Sequence, residues 1–255
     1  MSKRLQLQQI LSIAACTVLF SCSKPLYRPE SVHEPMIAHQ GEFAANGSVL
    51  IMAPYGFPSF DLGLGYSPVN RLAIKAAVRA RSKADLYTLD DDDYRKTLNG
   101  TTFEGGIGYY APVEDNIYFT VYANVMGGNN KYHDYRVSNR QTDELLDYNY
   151  TAFGIQPAVL FVKRRARMAT GIRAGLYQYN IKQFVNTSNP DYYGVKEGKL
   201  YPVFEPYYTI EVGGEHIRFF GQAGFSIVPA ALTTDSDNFF PKLSIGINLR
   251  FGGTK

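Results

Sequence analysis

The stretch HIRFFGQAGFSIV, residues 216–228, alternates apolar and polar side chains, and this alternation decides the fold class. A side-chain period of two is that of a β-strand with one apolar and one polar face. The same pattern recurs along most of the chain, in segments of about ten residues separated by turn residues. It predicts an all-β protein of about ten strands. The predicted strands are 41–52, 59–67, 71–82, 101–111, 117–127, 149–162, 167–179, 199–212, 216–228 and 240–252.

The two faces of these strands predict a closed antiparallel transmembrane β-barrel over residues 41–252. The apolar faces include small residues and prolines, which lipid accommodates and a close-packed protein core does not. The polar faces carry both signs of charge on segments far apart in sequence, which indicates a shared lumen. A soluble, lipocalin-like barrel with the faces reversed is the alternative. The predicted lumen charge network comprises Lys75, Arg79, Arg81, Glu104, Arg173, Glu205, Glu211, Arg218 and Arg250.

The connections between the predicted strands alternate in length. Every second one is short, and those between are long, above all 83–100, 128–148 and 180–198. Outer-membrane barrels have short periplasmic turns and long external loops. This pattern places both ends of the barrel domain on the periplasmic side.

The first 22 residues predict an export signal. Lys3 and Arg4 precede an apolar run over 10–20, which is too short to span a membrane as a helix and is typical of a secretory signal. The ending Leu-Phe-Ser-Cys at 19–22 resembles a bacterial lipobox, although Phe20 is bulkier than usual. The resemblance implies a signal peptide over 1–21 and a lipid anchor, palmitate included, on Cys22. A plain signal peptide is the alternative.

Residues 22–40 contain three prolines and no periodicity, which favours an extended periplasmic tether between the anchor and the barrel. No acidic cluster follows Cys22, so we expect the anchor to stay in the periplasmic leaflet of the outer membrane. At the other end, residues 253–255 form a short tail.

The last predicted strand, SIGINLRF at 244–251, resembles the terminal signal read by the outer-membrane barrel assembly machinery. The matching positions are polar Ser244, then Gly246, then apolar Leu249 and Phe251. This resemblance implies that the assembly machinery is a transient partner.

Several short motifs also resemble those of uncharacterised outer-membrane β-barrel lipoproteins of Bacteroidota. The resemblance spans most of the chain, and it implies location and fold but no activity. The motifs are YRPE at 27–30, EPM at 34–36, GEF at 41–43, GYSP at 65–68 and GYYAP at 108–112.

Little in the sequence predicts chemistry. A net charge of +3 without a basic stripe argues against a nucleic-acid partner. His133 and Asp134 are adjacent in the predicted loop 128–148. Asp90 to Asp93 form an acidic run in the predicted loop 83–100, and Lys163 to Arg167 form a basic turn. A solvated surface explains each of these better than a site does. We therefore predict no catalytic residue, metal or cofactor.

These observations favour a structural or accessory outer-membrane barrel with a lumen plugged by charged and Tyr side chains, either alone with outer-membrane lipid or within a larger complex. A barrel of eight strands is filled by side chains, whereas open channels belong to much larger barrels. A small-solute channel is the second hypothesis, and an enzyme at the barrel rim is the third.

Overall fold

The computed structural model describes residues 26–52, 59–81, 86–88, 91–136, 142–186, 196, 198–229, 232 and 239–252. Within these ranges no helix is long and apolar enough to cross a membrane. The chain forms antiparallel strands. They are β1 (Phe43–Met52), β2 (Ser59–Val69), β3 (Leu72–Arg81), β4 (Leu86–Thr88), β5 (Asp91–Glu114), β6 (Ile117–Arg136), β7 (Thr142–Val162), β8 (Ala166–Asn186), β9 (Leu200–Gly213), β10 (Ile217–Ile227) and β11 (Phe239–Phe251).

Ten of these strands close into a barrel. The sheet runs from β3 through β2 and β1 to β11, and then back through β10 to β5. It closes where Leu72 on β3 pairs with Tyr109 on β5. The first and last strands are neighbours, with Phe43 opposite Phe251. The short strand β4 pairs only with β5. The prediction of a closed antiparallel barrel of about ten strands is confirmed.

The exterior of the barrel is apolar and the interior is polar. On β2, the outward Phe60, Leu62 and Leu64 are 50–63% exposed, while the inward Asp61 is buried. The same alternation on the other strands gives a continuous band of exposed aliphatic and aromatic side chains. Such a surface is unfavourable in water and suits a lipid exterior. The faces therefore have the orientation of a transmembrane barrel, and not that of the soluble alternative.

Four strands are longer than the sequence pattern predicted. Strands β5 to β8 have 20–24 residues, about twice what a bilayer requires. Much of the predicted loops 83–100 and 128–148 is paired strand, with Asn99 opposite Lys131. The prediction failed there because the outward side chains change from apolar to polar, as at Asn149 above Phe153, so the hydrophobic alternation ends while backbone pairing continues.

The two rims of the barrel differ. One, here called the short-turn rim, carries tight connections in which Arg71 and Asn116 adopt positive φ values of 65° and 66°. Both Glu42, just before β1, and Gly252, just after β11, lie at this rim. The opposite long-loop rim is formed by the extended ends of β5 to β8. In outer-membrane barrels the short turns face the periplasm.

Candidate functional site

The most informative feature of the molecule is the course of residues 26–40, here called the plug segment. It begins towards the long-loop rim, where the Leu26 N–H donates to the Leu232 carbonyl at 2.8 Å. It ends at the short-turn rim, where the N–H of the next residue, Gly41, donates to the Ser67 carbonyl at 2.8 Å. Every residue from 26 to 38 is buried. The plug segment therefore runs inside the lumen, and the expectation that these residues form a tether outside the barrel is wrong.

Small side chains on one wall make room for the plug segment. The inward positions of β2 are Ser59, Asp61, Gly63, Gly65 and Ser67. A Cβ atom placed on Gly63 would lie 2.4 Å from the His33 ring, and one on Gly65 would lie 2.3 Å from the Pro35 Cβ. These distances are far below van der Waals contact. Two glycines on β2 thus leave the space that the plug segment occupies.

The lumen wall satisfies the backbone of the plug segment with side chains. Gln222 accepts from the Val32 N–H at 2.8 Å and donates to the Val32 carbonyl at 2.7 Å. Lys75 donates to the His33 carbonyl at 2.8 Å, and Arg81 donates to the Pro29 carbonyl at 2.9 Å. A buried peptide group without a partner is costly. These contacts explain how an irregular segment can stay inside a barrel without being a strand of it.

The centre of the lumen is an ion-pair network built around two carboxylates. Glu104 lies 2.7 Å from Lys75, 2.5 Å from Arg79 and 3.1 Å from Arg173. Arg173 also pairs with Glu205 at 2.5 Å, which links the two carboxylates through one guanidinium. Glu205 further accepts from Lys242 at 2.6 Å. All six side chains are at most 4% exposed.

The plug segment is part of this network. Tyr27 donates its hydroxyl proton to Glu205 at 2.6 Å. Glu30 lies 3.6 Å from Arg79 and 3.4 Å from Arg81. Glu34 accepts from Tyr207 at 2.7 Å and from Gln156 at 3.0 Å. The plug segment is thus bound to the wall by polar side chains at several points along its length.

A second group of charged side chains, here called the short-turn cluster, closes the lumen at the short-turn rim. Arg250 donates to Glu211 at 2.9 Å and to Glu42 at 2.9 Å, and Arg167 also pairs with Glu42. Burial alone would raise the pKa of Glu42, but Arg167 and Arg250 outweigh it and hold this pKa below its ordinary value of 4.5. Arg250 also donates to the Pro35 carbonyl at 2.8 Å, so the cluster holds the end of the plug segment.

The interior charges are equal in number once the plug segment is counted. Among the described residues, the wall of the lumen has eight basic and six acidic buried side chains. The plug segment and Glu42 together add one basic and three acidic side chains. The bases are Arg28, Lys75, Arg79, Arg81, Arg167, Arg173, Arg218, Lys242 and Arg250. The acids are Glu30, Glu34, Glu42, Asp61, Glu104, Asp134, Glu144, Glu205 and Glu211. The wall therefore has a positive surplus that the plug segment and Glu42 neutralise together.

Aromatic side chains fill the lumen near the long-loop rim. Tyr27 packs edge-on against Tyr177 at 5.6 Å, and Tyr150 stacks on Tyr177 at 5.8 Å. Tyr148 donates to the Leu26 carbonyl at 2.5 Å. Further members of this buried cluster are Tyr132, Tyr179, Tyr201 and Phe240. This packing covers the end of the plug segment.

All nine residues of the predicted lumen network are placed inside the barrel. Lys75, Arg79, Glu104, Arg173 and Glu205 form the central network, and Arg81 binds the plug segment beside it. Glu211 and Arg250 belong to the short-turn cluster. Arg218 lies nearby and donates to the Arg164 carbonyl at 2.9 Å, with no ion pair to another residue of the described chain.

The terminal-signal residues lie on β11 as their pattern requires. Leu249 and Phe251 face outward and Ser244 faces the lumen. A Cβ on Gly246 would lie 2.2 Å from the Gly47 carbonyl oxygen, so this position needs glycine for the closure of β11 on β1. Cys22 and residues 253–255 lie outside the described residues.

Two of the weaker sequence motifs lie wholly or partly in strands. His133 and Asp134 lie in β6 and not in a loop, and consecutive side chains of a strand point to opposite faces. Asp91 to Asp93 belong to β5, and Asp90 lies outside the described residues. Among the described residues, no group of three His, Cys, Asp or Glu side chains could hold a metal ion.

The basic turn at Lys163 lies on the short-turn rim, beside an open recess of about 750 Å³. Arg164 pairs there with Glu215 at 2.9 Å, and both side chains are exposed. The other charged residues around the recess are Glu42, Asp115, Arg167, Arg218 and Arg250. The recess ends at the short-turn cluster and the plug segment, so it is a vestibule and not the mouth of an open channel.

Sequence reasoning missed the plug segment and the wall residues Asp61, Arg167 and Lys242. A signal for the plug segment was present, because the inward face of β2 has only small side chains although a ten-strand lumen must be filled. The apolar residues Val32, Met36 and Ile37 were a second signal, since a solvated tether has no need of them.

No protein-family model matches the chain, and no curated protein matches it. Solved structures similar to it are outer-membrane β-barrel proteins. Neisserial surface protein A covers 84% of this chain and all of its own, with 10% identity and a TM-score of 0.38. Ail of Yersinia pestis covers 83% of this chain and 99% of its own, with 10% identity and a TM-score of 0.38. The translocator domain of the autotransporter NalP from Neisseria meningitidis covers 97% of this chain and 95% of its own, with 10% identity and a TM-score of 0.41.

Proposed function

We propose that this protein is an outer-membrane β-barrel lipoprotein with a structural or accessory role, whose lumen is closed by its own N-terminal segment. The observation that carries the proposal is the burial of residues 26–38 along the lumen. A barrel that fills its interior with its own backbone gives no continuous water path. Its outer surface and its rims are then the parts available for interaction.

The membrane setting is supported by the exterior of the barrel. Its band of exposed apolar side chains includes Phe103, Phe153 and Phe219, each more than half exposed. Burying such side chains in lipid is favourable by about 25 cal/mol per Å² of apolar surface. The lipoprotein part rests on the lipobox resemblance at Cys22, and mass spectrometry of the mature N-terminus tests it. Acyl chains on Cys22 are the expected result, and an unmodified terminus at any other residue would contradict it.

The role in a larger assembly is supported by the extended ends of β5 to β8. These strands continue beyond the apolar band with polar outward side chains such as Asn99, Lys131 and Asn149. They extend the sheet at the long-loop rim beyond the length that spanning a bilayer requires. Purification through a C-terminal tag in mild detergent, from cells grown normally, tests for an outer-membrane partner that leaves with this protein.

The second candidate, a small-solute channel, requires a lumen that opens. The recess at the short-turn rim would be its entrance, but the ion pairs of Glu42 with Arg167 and Arg250 close its inner end. A channel function would therefore depend on displacement of the plug segment.

Ion conductance in a planar bilayer separates the two candidates. We expect little conductance from the unmodified protein. Deletion of residues 26–38 should open a leak with a weak preference for anions, because the interior that remains bears eight basic and seven acidic side chains, Glu42 included. Heat-dependent gel mobility verifies that the deletion variant is folded, and Lys131→Ala, on the outside, serves as the control. Steady porin-like conductance from the unmodified protein would refute the proposal.

A further inference from the structure

The plug segment fixes on which side of the membrane the chain enters the barrel. It joins β1 at the short-turn rim, so residue 26 is the end farther from that rim. Three hydrogen bonds mark its course. The His33 ring bonds to the Leu64 carbonyl, the Pro29 carbonyl accepts from Arg81, and the Leu26 carbonyl accepts from Tyr148. These wall contacts move steadily towards the long-loop rim. Leu26, the first described residue, therefore lies at the long-loop end of the lumen.

Leu26 lies beyond the apolar band. Its partner Tyr148 is five residues further towards the long-loop rim than Phe153, the last strongly exposed apolar residue on β7. Five strand residues correspond to roughly 16 Å along the strand. The outward positions between them, Thr151 and Asn149, are polar. The end of the plug segment is thus level with the water-facing side of the band.

Three residues lie between Cys22 and Leu26, so four Cα-to-Cα steps separate the two, and these can span at most about 14 Å. The apolar band of such a barrel is about 25 Å tall. A return through the lumen is blocked by the plug segment itself, and a return through lipid is longer than this short stretch can span. Cys22 cannot reach the short-turn side while Leu26 keeps the position it has in the structure.

We propose that the mature N-terminus of this protein lies on the long-loop side of the membrane, so that an acyl anchor on Cys22 enters the outer leaflet. This replaces the expectation of an anchor in the periplasmic leaflet. The N-terminal segment passes through the barrel from the outer surface to the periplasmic rim, and the chain then returns as β1. The inference rests on the proposed membrane setting, and it is independent of whether the lumen conducts.

Labelling of single cysteines in intact cells tests the proposal. The mature chain has no cysteine other than Cys22, whose thiol is consumed if it is lipidated. Lys24→Cys reports the N-terminus. Lys131→Cys, exposed beyond the apolar band on β6, reports the long-loop side, and Gly214→Cys reports the short-turn side. A maleimide that cannot cross the outer membrane is added before or after permeabilisation, and gel mobility without boiling verifies that each variant is folded.

We expect Lys24→Cys and Lys131→Cys to react fully in intact cells, and Gly214→Cys to react only after permeabilisation. Labelling of Lys24→Cys only after permeabilisation, with both controls as expected, would overturn the proposal and restore the periplasmic anchor. If Gly214→Cys reacts in intact cells and Lys131→Cys reacts only after permeabilisation, the barrel has the opposite orientation in the membrane and the proposal is overturned. The closed lumen of the proposed function is tested separately by bilayer conductance. Failure of the proposed function would therefore be distinguishable from failure of this inference.

Discussion

Gln222 binds Val32 in the way that one strand binds another. Its side-chain oxygen accepts from the Val32 N–H at 2.8 Å, and its side-chain nitrogen donates to the Val32 carbonyl at 2.7 Å. The same nitrogen donates to Thr209 at 2.8 Å. One amide side chain on β10 thus satisfies both peptide groups of a buried plug residue. This contact joins the N-terminal segment to the barrel near the middle of the lumen.

The substitution Gln222→Leu tests this contact. It keeps a similar volume but leaves a buried N–H and a buried carbonyl without a partner, at about 1–3 kcal/mol for each group. We expect a lower unfolding temperature, measured by gel mobility against temperature in detergent. Ala223→Leu, on the adjacent outward position, is the control and should have no effect. Equal stability of Gln222→Leu and the unmodified protein would mean that Val32 does not depend on this wall.

A double-mutant cycle tests the central ion pairs. Glu205→Gln leaves Lys242 without its carboxylate, and removing one partner of a buried pair costs on the order of 3–5 kcal/mol. Lys242→Met removes the stranded charge. We expect the double variant to be more stable than the sum of the single effects predicts, with a coupling of about 0.5–3 kcal/mol measured by chemical denaturation. Additive effects would indicate that the two side chains do not interact.

The space left by Gly65 tests the packing of the plug segment. Gly65→Val places a branched side chain where Pro35 lies, since even a Cβ would approach Pro35 to 2.3 Å. Overpacking of this kind costs about 1–3 kcal/mol. We expect lower stability or a displaced plug segment that a protease can cut. Gly47→Ala is the matched control, because its Cβ would meet only Leu62, at an ordinary 3.6 Å.

Glu42 gives the barrel a defined response to acid. Its pKa is held below 4.5 by Arg167 and Arg250 despite its burial. A carboxylate with a lowered pKa in the folded state stabilises the protein above its unfolded pKa, and this contribution is lost as the pH falls through the folded value. We expect stability to fall below about pH 4.5 and this fall to be smaller in Glu42→Gln. An identical acid profile for the variant would argue against the ion pairs.

The sequence predicted the barrel well because a transmembrane strand leaves a period-two pattern at every spanning position. Lys75, Arg79 and Arg173 were assigned to the lumen on that pattern alone, and the structure places them there. The pattern failed for the outer halves of β5 to β8, because beyond lipid the outward side chains are polar and the two faces no longer contrast.

The plug segment could not be predicted by periodicity. It belongs to no strand, and its burial depends on contacts with the wall across 30 to 215 residues of sequence, such as that of Pro35 with Arg250. Proline favours both a solvated tether and a buried irregular segment, because it lacks the N–H that a buried chain must satisfy. Only the small inward residues of β2, together with Val32 and Met36, distinguish the two cases.

Residues 26–38 lie inside the folded barrel, and the reactivity of a single cysteine placed among them can check this. Val32→Cys would replace a side chain that is 2% exposed in the middle of the plug segment. We expect a water-soluble maleimide to leave this variant unlabelled in the folded, unboiled protein and to label it fully after unfolding, while Asp115→Cys at the exposed short-turn rim reacts in both states. Labelling of Val32→Cys in the folded protein as fast as that of Asp115→Cys would show that the plug segment is not enclosed by the barrel.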